Sequence, residues 1–199
     1  MRVRFTKLRF GRRPAPPRML EPFLVRWERL DRRRRRIRMI RRGGVAGIEF
    51  IRHRGAPFRL RDGTLVNPGD VVGEFHLHNA LIRELLPQGH AAILRIARDD
   101  LETLARWSRQ VSPERRPVAY HGESILVPYA RRMGMEVYPR RSTAWTRLQD
   151  WYLRGVMARW AAEGRGRLRH GRRGLRAGVA WMSAARLDSR YGDPAGSSL

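Results

Sequence analysis

Val71-Val-Gly-Glu-Phe-His-Leu-His-Asn79 is the stretch on which the fold turns. Side chains alternate along a strand, so Asp70, Val72, Glu74, His76 and His78 share one face, and Val71, Gly73, Phe75 and Leu77 share the other. The apolar set is expected to be buried. That leaves a carboxylate and two imidazoles at two-residue intervals on the opposite face, with successive Cα atoms roughly 6 to 7 Å apart at a rise of about 3.3 Å per residue. At this spacing His76 and His78 can share one metal ion, provided a third ligand arrives from elsewhere in the chain. Beyond His78 the period changes. Asn79 precedes Ala80, Leu81, Ile82, Leu85 and Leu86, which predict a short helix that Asn79 can cap.

Upstream, Val45 to Arg52 and Pro57 to Arg61 read as strands joined through Arg54-Gly55-Ala56, with tight turns at Asp62-Gly63 and Asn67-Pro68-Gly69. Leu20, Phe23, Leu24, Trp27 and Leu30 fall at spacings of three and four, which predicts a short amphipathic helix. Downstream, Leu94, Ala97, Leu101, Leu104 and Val111 mark the buried face of a longer helix. Val118 to His121 reads as a short strand, Ser124 to Met133 as a helix ending at Gly134, and Met135 to Tyr138 as another strand. Trp145, Leu148, Tyr152, Val156 and Trp160 then mark a final long helix whose aromatic stripe is expected to face the core. The predicted fold class is α+β: a single mixed domain over residues 20–162, with a small β-sheet covered by helices. Residues 1–18, including Gly11-Arg-Arg-Pro-Ala-Pro-Pro17, read as a flexible basic arm. Residues 163–199, rich in Arg and Gly, read as a flexible tail.

The chain of 199 residues has 43 Lys+Arg against 18 Asp+Glu, a formal net charge of +25. Lys7 is its only lysine. Such an excess predicts attraction to anionic polymers: nucleic acid, anionic lipid or acidic glycan. The densest cationic run, Arg32, Arg33, Arg34, Arg35 and Arg36, is either a solvated face or a docking surface for such a partner. Aromatic residues do not interleave with it, which disfavours a single-strand stacking groove and sequence-specific nucleic-acid recognition. The absence of cysteine excludes disulfides, a thiolate nucleophile and a cysteine-based zinc site. No apolar run of spanning length and no signal-type apolar region is present, so the expected location is the cytoplasm, with peripheral contact to an anionic membrane surface compatible with the charge. Neither a Walker sequence nor a dinucleotide glycine fingerprint is found.

A second polar segment, Tyr120-His-Gly-Glu-Ser124, ends another predicted strand. His121 and Glu123 are the candidates to face Glu74, His76 and His78, whether as a third metal ligand or as the opposite wall of an acid/base pocket. Asp70, Asn79 and Ser124 are candidate ligand contacts, Ser124 as the cap of the helix after it. Three readings compete: hydrogen bonding that ties the strand end to its helix, metal-free acid/base or ligand chemistry, and a divalent metal, which is not favoured. Gly122-Glu-Ser124 is no serine-hydrolase elbow, because Leu126 stands where the closing glycine belongs. His53, His90 and His170 are expected to be exposed.

At these residues the chain resembles the YkoP-like family of bacterial proteins. The resemblance lies in Leu60-Arg-Asp-Gly-Thr64, Pro68-Gly-Asp70, Glu74-Phe-His-Leu-His-Asn79, Tyr120-His-Gly-Glu-Ser124 and Arg132-Met-Gly-Met-Glu-Val-Tyr-Pro139, and spans about half the chain, from Gly47 to Trp151. It implies no settled activity, only a loose association with polysaccharide deacetylases and so with cell-envelope polysaccharide metabolism. The expectation is a ligand-binding or catalytic site at the Glu-x-His-x-His-Asn strand end. The alternative is a non-enzymatic basic protein that binds anionic polymers. Gly122 to Pro139 is also similar to a helix–glycine–strand element of GNAT-class acyltransferases, a fold-level likeness only.

Overall fold

A computed structural model describes residues 26, 30, 34–124, 127–139, 146 and 178–192. In chain order its strands and helices are β1 (Arg38–Met39), β2 (Ala46–Arg52), β3 (Phe58–Arg59), β4 (Leu65–Val66), β5 (Val71–Leu77), α1 (Asn79–Leu85), α2 (His90–Gln110), β6 (Ala119–Ser124), α3 (Val127–Arg132), β7 (Glu136–Pro139), β8 (Gly178–Ser183) and α4 (Ala184–Tyr191). Six strands form a mixed sheet in the order β1-β2-β5-β6-β8-β7, and β3 pairs with β4 in a separate two-stranded sheet. All neighbours in the large sheet are antiparallel except β5 and β6. A parallel pair needs a long crossover, and α1 and α2 supply it. The chain is thus an α+β domain, as its alternating patterns predict.

The two sheet faces are covered differently. Ile48 opposes Phe75, Gly73 opposes Tyr120 and Tyr120 opposes Met182; on this face they pack under Leu101, Leu104 and Ala105 of α2 and Leu187 and Tyr191 of α4. On the other face Val72, Ala119 and Trp181 pack with Leu60 and Val66 of the small hairpin. Val72 is fully buried although it shares a face with Glu74. The expectation of one buried and one open face of β5 is therefore corrected: the hairpin covers the Val72 end of the polar face and leaves the Glu74 end partly open. Leu77, assigned to the apolar face, is 37% exposed.

Buried polar contacts fix the covering elements. The N–H groups of Val45 and Ala46 donate to Asp100 Oδ2 at 2.8 and 2.9 Å, and Arg41 Nε lies 2.8 Å from Asp100 Oδ1, tying the start of β2 to α2. Burial pushes the Asp100 carboxyl up from its ordinary pKa, while these donors and Arg41 pull it back. Gly44 is required here, since a Cβ at that position would run into the Asp100 carboxylate.

The largest departure from the sequence reading lies in its flexible tail. Within residues 163–199, Gly178–Ser183 is an inner strand between β6 and β7, and α4 caps the core behind it. Both faces of β8 are covered, five of its six residues being buried. Its sequence therefore shows none of the apolar/polar alternation of a half-exposed strand. Ser124 ends β6 opposite Gly178 rather than starting a helix, because β8 extends the pairing to that point. The arm at residues 1–18, most of the helix predicted from Leu20, Arg32, Arg33, and the predicted helix around Trp145 to Trp160 apart from Thr146 lie outside the described residues.

Candidate functional site

Strand register builds a row of side chains across the less covered face. Glu49 of β2 opposes Glu74 of β5, Glu74 opposes His121 of β6, His121 opposes Trp181 of β8, and Trp181 opposes Glu136 of β7. The Glu74 and His121 segments, far apart in sequence, are thus adjacent strands. His76, one step along β5, brings Nε2 to 3.4 Å from Glu49 Oε2 and 4.0 Å from Glu74 Oε1. Arg35 reaches over the same oxygens, with Nη1 3.7 Å from Glu49 and 3.6 Å from Glu74. One member of the arginine run therefore lies beside this carboxylate–histidine cluster.

His121 stacks on Trp181, ring centroids 4.4 Å apart and planes within 23°. Burial, followed by repulsion from the nearby His53 and His76, lowers its pKa to about 4, so the ring is neutral at pH 7. Its Nδ1 is buried and has no hydrogen-bond partner among the described residues. His53, expected to be exposed, is half-buried and meets Trp181 edge-on at 5.9 Å.

The remaining predicted site residues are dispersed. Asp70 sits at the start of β5, its Oδ2 accepting the Asn67 N–H at 2.7 Å to close the turn. His78 directly precedes α1 and its carbonyl accepts the Ile82 N–H, so it holds the cap position expected of Asn79, which is the first helical residue. Ser124 borders a different recess on the helix-covered face, an apolar cavity of about 150 Å3 lined also by Phe75, Leu101 and Met133, while Glu123, next to it in β6, is exposed and by the strand's alternation takes the His121 face. Among the described residues, metal-type donors gather at Glu49, Glu74 and His76, all within 4.8 Å of one another, a group of which His78 is not a member.

Sequence reasoning did not assign Glu49, His53 or Trp181 to the site, and read Arg35 only as part of a cationic run facing an anionic partner. Glu49 alone carried a legible signal: a lone carboxylate in the otherwise apolar Ile48 to Ile51 run has to find a partner.

The Leu60-Arg-Asp-Gly-Thr64 motif is a clamp rather than a reactive loop. Gly63 adopts a φ of 89°, Asp62 Oδ1 accepts the Thr64 N–H at 3.0 Å, and Asp62 also accepts the Ser183 hydroxyl. The Arg61 N–H donates to Glu136 at 2.9 Å, and Tyr138 donates to the same carboxylate at 2.5 Å. The hairpin is thereby pinned to β7 and β8, and with it the edge of the site.

Compared with known proteins, residues 18–191 match the YkoP domain family. No curated protein and no solved structure matches the chain. Among the described residues, no helix is long and apolar enough to cross a membrane.

Proposed function

The chain belongs to the YkoP domain family, and on that premise we propose that the domain binds a polar, glycan-derived ligand at Glu74, His76 and His121, with the Glu49–His76 couple available for proton transfer. The observation that carries this reading is the register that sets Glu74 between Glu49 and His121 on a partly open face. His76 and its two carboxylates are each about one-fifth exposed, open enough to meet a solute and enclosed enough for their charges to act strongly on it. Glu49 Oε2, 3.4 Å from His76 Nε2, is placed to orient the imidazole, the arrangement by which a carboxylate prepares a histidine to accept a proton. Neutral His121 beside Glu74 adds a hydrogen-bonding group that carries no charge. A link to cell-envelope polysaccharide metabolism belongs to the same proposal.

Calorimetric titration with N-acetylglucosamine oligosaccharides tests it. The expected result is saturable binding that His76→Ala and His121→Ala each weaken at least tenfold while circular dichroism shows the fold retained. Equal binding by wild type and both variants, or no binding at all, would sink the reading. A second reading, attachment to an anionic polymer, is favoured by the exposure of Arg34 and Arg36 and by the net charge of +25.

A further inference from the structure

Glu49 and Glu74 are direct Cα partners across the antiparallel β2–β5 pair. Like charges placed this way destabilise a sheet unless a cation offsets them. Among the described residues Arg35 is the arginine that does so, but it engages from outside: its side chain is 45% exposed against 19% and 22% for the two glutamates, and its distances of 3.7 and 3.6 Å are long for an ion pair. Beneath it, one oxygen from each carboxylate and the His76 imidazole nitrogen converge within 4.8 Å. Bonds of about 2.0 to 2.2 Å to a tetrahedral or octahedral ion hold ligand atoms roughly 3 to 4.4 Å apart, so small side-chain rotations would close the set around one ion. On the next strand His121, in register with Glu74, has a buried Nδ1 with no hydrogen-bond partner among the described residues.

We propose that Glu49, Glu74 and His76 form a binding site for a first-row divalent cation, with Arg35 as the internal counter-cation that the metal displaces. The inference rests on the reading of this face as a ligand site and names one of its ligands. Two carboxylate oxygens with an imidazole nitrogen suit Zn2+ or Mn2+, whereas Mg2+ and Ca2+ prefer all-oxygen shells. Arg35 sets the affinity, because the incoming ion must dislodge a charge already seated between the carboxylates.

The test uses the full chain stripped of metal with a chelator and titrated with Zn2+ alone. One ion per chain is expected, with affinity at least a hundredfold weaker in the Glu49→Gln/Glu74→Gln double variant and clearly weaker in His76→Ala. Arg35→Ala should bind Zn2+ about tenfold more tightly, equivalent to about 1.4 kcal/mol; this gain cannot arise from a damaged fold. The proposal is overturned if neither wild type nor Arg35→Ala binds Zn2+ saturably, if binding survives the double glutamine variant, or if Mg2+ binds as tightly as Zn2+. Because no oligosaccharide enters this titration, its failure is separate from failure of the glycan-ligand reading.

Discussion

At Gly73 a Cβ would lie 2.6 Å from Tyr120 Cδ1 and 2.8 Å from Ile48 Cδ1. The glycine makes room for the Tyr120 ring, whose hydroxyl donates to Ser108 at 3.0 Å within the core. Gly73→Ala is therefore expected to destabilise by about 1–3 kcal/mol through overpacking, seen as a lower urea midpoint at unchanged m-value; an unchanged midpoint would mean that Tyr120 yields freely. His121 makes a prediction in pH. Its pKa lies near 4 in the folded chain against 6.5 ordinarily, so the unfolded chain takes up the proton first as pH falls. Its contribution to stability is complete above about pH 6.5 and is lost progressively down to about pH 4, by at most about 3 kcal/mol. Urea unfolding of wild type and His121→Phe across this range should give a flatter pH profile for the variant. Parallel profiles would show that His121 does not set the pH dependence.

Among the elements, β5 and α2 were the most legible, because each keeps a clear period over most of its length. In α2 Leu101 and Leu104 fall on the buried side as the spacing predicts, and in β5 Glu74 and His76 fall together on the partly open face. In contrast β8 was hidden, since an inner strand covered on both faces has no alternation to display and lies in a stretch dominated by arginine and glycine. Its structural weight is large: it pairs with both β6 and β7, supplies the Trp181 that stacks on His121, and carries the Ser183 that binds Asp62. A chain cut after residue 177 should consequently lose cooperative unfolding and near-ultraviolet dichroism. Cooperative unfolding of that truncated chain at the wild-type midpoint would mean that β8 is dispensable. The turn predicted at Asp62-Gly63 closes a β3–β4 hairpin whose second strand the sequence reading lacked, and its use as a cover that leaves only the Glu74 end of β5 open is a matter of packing against Trp181 and Val72.

For the whole molecule, charge is the property that sequence states outright. At +25 the chain should bind DNA, anionic vesicles or acidic glycans weakly and without sequence preference, with affinity falling steeply as salt rises, because counterion release drives such association. Filter binding or sedimentation between 50 and 200 mM salt, about the range over which such contacts weaken strongly, would measure it; no binding to any of the three at low salt would discard this reading. The alternation through Val71 to Leu77, the helical stripe of α2 and the turn chemistry of Asp62-Gly63 are local, so the sequence by itself determined the α+β class and placed Glu74 and His76 on one face. The identity of their neighbours is not local. Glu49, His121, Trp181 and Arg35 meet that pair only through strand order and register, and a strand's own period says which face a side chain takes but not which strand lies beside it. Tertiary structure alone therefore exchanged His78 for Glu49 in the donor cluster and set Arg35 of the cationic run over its outer side, because backbone pairing fixes the spacing of side chains contributed by separate strands.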